Sequence, residues 1–313
     1  MGATLLAVRP AWAQPTGKSP RVGWLTSSVV HESNVRAFRD GMRALGYETV
    51  AIEFRAAEGQ TERLPALASE LTRSKIDVIV VDGGSAAVAA KQVVADLPIV
   101  VGAMSDPVGS GIVASLARPG GNITGFSIST GPELNGKRLD LLREAIPGLT
   151  RFGLLWNETN RTSPAAVDYV VAAVKSRGIE ITVLGVRNAD AIGRAFADAA
   201  RARVGAILTI ADAFLWAQRQ HIVALSARHR LPGMYPEIEF ALDGGLLAYG
   251  PNVADNFRRA AGYVDRILKG TRPADLPVEQ PAAFSLVINL KAARALGLTI
   301  PPSLLLQANQ VID

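Results

Sequence analysis

Short apolar runs alternate with amphipathic segments of helical length along most of the chain. The runs are rich in Val, Ile and Leu with few polar positions, which is typical of strands buried on both faces of a parallel sheet. The segments between them carry apolar residues at helical spacing. This alternation predicts an α/β fold. The first five runs are RVGWLT 21–26, TVAIEF 49–54, DVIVVD 77–82, LPIVVG 97–102 and NITGFS 122–127.

The same order of runs then appears a second time. Its members are RFGLLW 151–156, EITVLG 180–185, GAILTI 205–210, LPGMYP 231–236 and GLLAYG 245–250. The junctions also agree, since RALGYETV 43–50 and KSRGIEIT 175–182 each place a glycine where a helix should end. Two halves of like topology are therefore the economical interpretation, and one large doubly wound sheet is the alternative.

The last sixty or so residues form a third segment. VADNFRRAAGYVDRILKG 253–270 has the spacing of a surface helix, and PAAFSLVINLKAARALGLTI 281–300 predicts a strand and a short helix. Since each half already has its own sheet, we expect this segment to complete the first domain. The predicted fold is two doubly wound parallel-sheet domains, 21–125 plus 251–313 and 126–250, joined by a multi-segment hinge.

The N-terminus has the pattern of an export signal. Residues 1–13 are mostly apolar and end in Ala11-Trp12-Ala13, a small-x-small cleavage pattern. No basic segment precedes the apolar run, so we expect the front of the signal to be missing. The pattern predicts a periplasmic protein processed before Gln14 and without membrane insertion, because no later run reaches the ~18 apolar residues of a span. A loose N-terminus of a cytoplasmic protein is the alternative.

Composition removes several kinds of chemistry. The chain has no cysteine, which excludes disulfides, zinc-thiolate sites, thiol nucleophiles and a lipid-anchored N-terminal cysteine. Its net charge of +5 comes from residues spread along the chain, so no nucleic-acid surface is predicted. The three histidines, His31, His221 and His229, stand in no catalytic motif. We therefore predict no catalytic residue, no metal and no cofactor.

Ligands of open parallel sheets bind beyond the carboxyl ends of the strands. If the two halves face each other, the loops at these ends line one cleft for a small-molecule ligand. The ligand-binding residues predicted by this rule are Thr26, Ser27, Gly84, Ser85, Ala86, Ser105 and Asp106 in the first half, and Asn157, Asp212, Ala213, Tyr235 and Glu237 in the second.

The loop DGGSAAVAAK 82–91 resembles a phosphate-binding loop only in part. It lacks both glycine-rich nucleotide fingerprints, and Lys91 lies about two helical turns beyond the loop. Gly83 and Gly84 allow a close approach of backbone to ligand, and Ser85 offers a hydroxyl at a helix N-terminus. The loop therefore indicates a carboxylate site, with Ser85 as a simple N-cap as the alternative.

The opposite end of a ligand would meet acidic residues. Asp212 has no basic neighbour in the following AFLWAQ 213–218. We therefore hypothesise a zwitterionic solute whose amine binds Asp212, with Glu237 as a second acceptor and the carboxylate on Ser85 and Ser105. A simple helix cap is the alternative role of Asp212.

Several longer stretches resemble a known family. They are FRDGMRALGY 38–47, LPALASELTRSKIDVIVVDGGSAAVAAK 64–91, DPVGSGIVASLARPGGNITGFS 106–127, KRLDLLREAIPG 137–148, DGGLLAYGPN 243–252, YVDRILKGTRPADLPVEQP 263–281 and INLKAARALGLTIPPSLL 288–305. By these stretches the chain resembles substrate-binding proteins of bacterial ABC transporters, in the branch with tryptophan- and tyrosine-binding members.

The resemblance implies a type I periplasmic-binding-protein fold whose two domains close on a small solute, an amino acid or a related carboxylate. It implies a monomer that delivers the solute to a membrane permease and is not an enzyme. The ligand-sensing core of a regulatory protein shares this fold and is one alternative. An α/β enzyme is the other, and it would need an acid/base pair across the cleft.

Overall fold

The computed structural model describes residues 19–131, 133–175 and 178–313. The predicted signal peptide, residues 1–13, lies outside these ranges. Among the described residues, no helix has the length and apolar character that crossing a membrane requires.

A five-stranded parallel sheet forms the first domain, in the order β2-β1-β3-β4-β5. Its elements are β1 (Arg21–Thr26), α1 (Glu32–Ala44), β2 (Ala51–Ala56), α2 (Leu64–Arg73), β3 (Val78–Asp82), α3 (Gly84–Val93), β4 (Ile99–Met104) and β5 (Ile123–Ser127). Strands β3 and β4 are buried at every position. Helices therefore cover both faces of this sheet, as the apolar runs predict.

The second domain is built around a seven-stranded sheet in the order β12-β11-β10-β9-β8-β6-β7. Its elements are α4 (Glu133–Ala145), β6 (Arg151–Asn157), α5 (Pro164–Lys175), β7 (Glu180–Val186), α6 (Ala189–Arg201), β8 (Ala206–Thr209), α7 (Ala213–Ala217), α8 (Arg219–Arg228), β9 (Gly233–Tyr235), α9 (Ile238–Leu242) and β10 (Leu247–Gly250), and, after α10 (Val253–Leu268), β11 (Ser285–Asn289), α11 (Leu290–Leu296), α12 (Pro302–Gln307) and β12 (Gln310–Ile312). From β7 to β10 its strand order repeats that of the first sheet.

Helix α10 returns to the first domain. It packs against α1 and β4, and its Phe257 stacks on Trp24 of β1 with ring centroids 5.1 Å apart. Both rings are fully buried. Helix α10 therefore packs with the elements of the first sheet.

Residues 281–313 are predicted from the sequence to complete the first domain, but their strands join the sheet of the second domain. Strand β11 pairs antiparallel with β10, and β12 extends the same sheet beside β11. The edge of the first sheet is already covered, because Ser127 donates its backbone N–H to the carbonyl of Glu279, and Glu279 donates to that of Gly125. With one edge paired in this way, the last strands cover the open edge of β10 in the second domain.

The chain thus crosses between the two sheets after β5, after β10 and between Glu279 and Ser285. These crossings bring together the loops that follow β3 and β4 and the loops that follow β8 and β9, which line a common cavity. The carboxyl ends of the two sheets therefore face each other, as the strand-end rule requires.

Close packing of α1 on α10 gives a first testable prediction. A Cβ added at Gly41 would lie 2.3 Å from the carbonyl oxygen of Arg258, whereas one added at Gly262 meets nothing within 4 Å. We expect Gly41→Ala to lower the free energy of unfolding by about 1–3 kcal/mol, because the helices must separate. Gly262→Ala, the control on α10, should raise it by roughly 0.5–1 kcal/mol. Urea denaturation of both variants measures the difference, and a stabilised Gly41→Ala would contradict the packing.

Candidate functional site

Two adjacent cavities lie between the domains, one of about 430 Å³ and one of about 50 Å³. Ser105, Ile128 and Ala211 line both of them. Because these shared residues come from the end of β4, the first crossing and the end of β8, the cavities lie where the strand-end rule predicts a ligand.

The smaller cavity is acidic. Asp82 lines it from the first domain, and Asp212, Glu237 and Glu239 line it from the second. A space bounded by four carboxyl groups attracts a cation rather than an anion. The lining of this cavity also includes His31, Asn34, Gly84, Asn160 and Trp216.

The larger cavity is mainly apolar. Its walls include Leu116, Ile128, Leu134, Tyr169 and Ile210. The polar side chains in its lining are mostly hydroxyls and amides, with Asp106 and Arg138 as its charged residues. Such a lining suits an apolar group held in orientation by a small number of polar contacts.

The two domains touch beside the smaller cavity. The hydroxyl of Ser85 donates a hydrogen bond of 3.0 Å to Oδ1 of Asn160. Gly84 fits because it has no side chain, since a Cβ there would lie 2.9 Å from the hydroxyl of Thr162. The helix cap before α3 is Gly83, which has a left-handed φ of 102°. Ser85 is therefore a contact between the domains and not the N-cap.

Asp212 is the N-cap of α7. Its carboxylate accepts hydrogen bonds from the backbone N–H of Leu215 at 2.9 Å, from Nδ2 of Asn160 at 2.8 Å and from Nδ2 of Asn157 at 3.2 Å. Burial raises the pKa of this carboxyl, and the hydrogen bonds from Leu215, Asn160 and Asn157 oppose that shift. The capping role held open as an alternative is thus what the structure contains.

Glu237 has no such set of donors. Its side chain is buried, and among the described residues Oε2 has no hydrogen-bond partner. Burial holds the pKa of Glu237 well above its ordinary value, while the charge of Arg138 opposes this and those of Glu239 and Asp212 add to it. An unmatched carboxylate oxygen at a cavity is costly unless a donor arrives from outside the chain.

Arg138 is a buried cation whose charge acts on the Glu237 carboxyl group. It donates from Nε to the carbonyl of Tyr249 at 2.8 Å and from Nη1 to Oδ1 of Asn135 at 2.8 Å. Burial lowers its pKa to about 10, with the charge of Glu237 acting in the opposite direction. Its hydrogen bonds fix α4 against the end of β10, so it positions one wall of the larger cavity.

His31 and Asp82 form an ion pair or hydrogen-bonded pair beside the smaller cavity. Neither residue is among the ligand-binding residues predicted from the strand ends. Nδ1 of His31 lies 3.0 Å from Oδ2 of Asp82, and Nδ2 of Asn34 donates to the same oxygen at 3.3 Å. The His31 ring lies against Trp216 of the second domain with centroids 3.9 Å apart. Asp82 is the last residue of β3, so the strand-end rule contained its signal, whereas His31 lies in the loop between β1 and α1 and carried no such signal.

The sequence-predicted residues fall into three groups. Those lining the cavities are Gly84, Ser105, Asp106, Asp212, Ala213 and Glu237. Those lying behind the cavity walls are Thr26, Ser27, Ser85 and Asn157, whose polar groups bond within the protein. Asp106 also accepts a hydrogen bond from the backbone N–H of Gly109 at 2.8 Å, which closes a turn through Pro107.

Ala86 and Tyr235 form the third group, and neither faces the cavities. Ala86 is packed in the core of the first domain. The Tyr235 ring stacks on Phe240 with centroids 4.6 Å apart, and its hydroxyl lies 2.8 Å from that of Ser226. The prediction therefore needs correction at these two positions, because both side chains point from their elements into a core.

A cavity between two α/β domains that share a strand order and are joined by three crossings defines a periplasmic-binding-protein fold. Residues 27–312 match the profile of the ABC transporter substrate binding protein family. The chain therefore belongs to this family, whose members work outside the cytoplasm.

Individual relatives agree with the family. A tyrosine-binding protein of Clostridioides difficile (strain R20291) is 23% identical over 287 residues, which cover 90% of this chain and 82% of the relative. A Streptococcus pneumoniae ABC domain solved in complex with L-Trp is 26% identical with a TM-score of 0.83, over 93% of this chain and all of the other. A Vibrio cholerae conserved domain protein shows the same fold, with 23% identity and a TM-score of 0.87 over 94% of this chain and 100% of that one.

The bonding of Asp212 generates the second prediction. Asp212→Ala removes a helix cap and leaves two buried amides unpaired, so we expect a loss of roughly 2–4 kcal/mol in the free energy of unfolding. Asn188→Ala, which removes the more exposed cap of α6 that accepts from Ala191, should cost about 1 kcal/mol. Thermal or urea denaturation compares them. Equal losses in the two variants would show that the amide network adds nothing.

Proposed function

We propose that this chain is the extracytoplasmic solute-binding component of an ABC importer and that it closes on an amino acid or a related small carboxylate. The observation that carries the proposal is the buried, unpartnered Oε2 of Glu237 at a cavity between two domains. A permease in the membrane would receive the solute. We also propose that the protein is a periplasmic monomer, exported by a signal peptide and not lipid-anchored.

The ligand's ammonium group binds Glu237 in this proposal. The hypothesis from the sequence ranked Asp212 first, but the hydrogen bonds from Leu215, Asn160 and Asn157 already occupy its oxygens. Glu237 lines the same cavity with an acceptor to spare. An ammonium group there would neutralise a carboxylate that burial otherwise disfavours.

The ligand's side chain occupies the larger cavity. Its 430 Å³ and its apolar walls suit a bulky apolar or aromatic group. Tryptophan and tyrosine, which relatives are described as binding, are amino acids of this kind. They are therefore the first ligands to test.

Ser105 is the proposed contact of the ligand's carboxylate. Ser105 lines both cavities. It therefore lies where the ligand's head group, in the smaller cavity, joins the ligand's side chain, in the larger one. The hydroxyl of Ser85, the other serine proposed from the sequence, is engaged by Asn160. The first domain thus keeps one of its two predicted serine contacts.

Binding without turnover is the expected activity. A base oriented by a carboxylate is present in His31 and Asp82, yet among the described residues no hydroxyl is hydrogen-bonded to the free His31 nitrogen. A nucleophile paired to its base is the usual mark of hydrolytic sites. Equilibrium dialysis that returns the ligand unaltered at one per chain supports a carrier, and conversion of the ligand would refute it.

Glu237 provides the third prediction. Calorimetry with a panel of amino acids should find L-tryptophan or L-tyrosine bound by the parent protein. Glu237→Gln should weaken that binding by ~2–5 kcal/mol, because the ammonium loses its charged partner. Glu239→Gln is the matched control at the same cavity and should change binding by no more than about 1 kcal/mol. Equal affinity in the parent and Glu237→Gln would remove Glu237 from the site.

The raised pKa of Glu237 predicts a pH dependence of binding. An ammonium group binds the ionised carboxylate, so affinity should fall as the pH falls through that raised pKa. The decrease should reach up to about tenfold per pH unit for one linked proton. Titrations from about pH 8 to about pH 5 measure the slope. Glu237→Gln should show a shallower slope, and an identical slope would mean that another group takes up the proton.

A further inference from the structure

Two residues that line the smaller cavity from opposite domains each carry a buried polar atom that has no partner within the described part of the chain. One is Oε2 of Glu237 in the second domain, and the other is Nε2 of His31 in the first. Both residues are 5% exposed, so water does not satisfy these atoms freely. Buried polar atoms in native proteins nearly always have a partner, so two such atoms on residues that line one cavity point to a donor from outside the chain.

The His31 ring is fixed in its orientation. Asp82 holds Nδ1 at 3.0 Å, and Asn34 bonds the same carboxylate oxygen. Trp216 packs on the ring with an interplanar angle of 46°. The imidazole therefore does not flip without breaking the bond to Asp82.

This arrangement determines what Nε2 offers. The carboxylate of Asp82 accepts a hydrogen bond from Nδ1, and in the tautomer that this bond favours Nδ1 carries the hydrogen and Nε2 carries a lone pair. The charged groups that face or flank the ring are Asp82, Asp212, Glu237 and Glu239, with Arg219 placed 4.1 Å from the Trp216 ring on which His31 packs. A ligand cation is the donor that such surroundings favour.

We propose that His31 is the first-domain contact of the ligand's cationic group, accepting through Nε2 a hydrogen bond from the ammonium that Glu237 binds from the second domain. This inference rests on the proposed function. The cavity of about 50 Å³ has room for a group of that size, since one water occupies ≈ 30 Å³ of liquid. An ammonium bonded to both residues links the domains directly, so the bond exists only in the closed form.

The test compares two substitutions of His31 that differ in reach. In His31→Asn the amide nitrogen takes the place of Nδ1 beside Asp82, and nothing extends to the position of Nε2. In His31→Gln the longer side chain brings an amide oxygen to that position. His221→Asn, on an exposed histidine of α8, is the matched control. Calorimetry with L-tryptophan and with L-tyrosine gives the affinities, and denaturation confirms that each variant folds.

We expect His31→Asn to weaken binding about 10- to 100-fold, the effect of losing one hydrogen bond to a charged group. His31→Gln should stay within a few-fold of the parent, and His221→Asn should equal it. Parental affinity in His31→Asn, or equal losses in His31→Asn and His31→Gln, would overturn the assignment in favour of a packing role.

Nitrogen-15 NMR of the imidazole in the complex gives an independent readout. We expect a proton on Nδ1 and none on Nε2 of His31 when L-tryptophan or L-tyrosine is bound. A protonated Nε2 in the complex would overturn the proposal while leaving amino-acid binding in place. Failure of the parent protein to bind either amino acid would refute the proposed ligand class itself, and this inference with it.

Discussion

Burial of carboxyl groups at the facing ends of two parallel sheets is the constraint on which the rest of the site depends. Each buried carboxylate needs donors, and the chain supplies them in different ways. Asp212 takes two asparagine amides and a helix N-terminus, and Asp82 takes His31 and Asn34. Among the residues that the structure describes, Glu237 is the one of these three acids that retains an unpartnered oxygen. Its carboxyl group therefore differs from the other two in how it is bonded within the protein.

The same constraint explains why the domains touch where they do. Asn160 donates to Asp212 and accepts from Ser85, so one side chain satisfies a buried acid in its own domain and bonds the other domain. The glycines before α3 allow that approach, since a side chain at Gly84 would meet Thr162. Contacts between the domains therefore depend on a polar network that is already organised within the second domain.

Much of this architecture can be predicted from the sequence because it follows from hydrophobic periodicity. The two series of strands, their order and the return of α10 all rest on apolar runs that must be buried. The sheet that SLVIN 285–289 joins cannot be predicted in this way. Periodicity predicts a strand there, but it does not indicate which sheet edge is open to that strand. The strand pairs with β10, while Glu279 bonds to the edge of β5.

Some of the candidate site residues can be predicted from the sequence, and others depend on contacts that the sequence does not show. Glu237, Asp212 and Ser105 follow strands and are found by the strand-end rule, whereas Tyr235 fails it because side chains alternate along β9 and its ring falls on the face that packs against Phe240. His31 looks like an ordinary polar loop residue in the sequence. Its burial comes from Trp216, nearly two hundred residues away in the other domain, and no local pattern contains that contact.

The final strands have a mechanical consequence. The described chain begins beside β1 in one domain and ends at β12 in the other, so its two ends are carried by different rigid bodies. A pair of fluorophores attached near residues 19 and 313 would therefore change separation whenever the domains rotate about the crossings. The distance between these two labels therefore reports domain rotation without any label in the cleft.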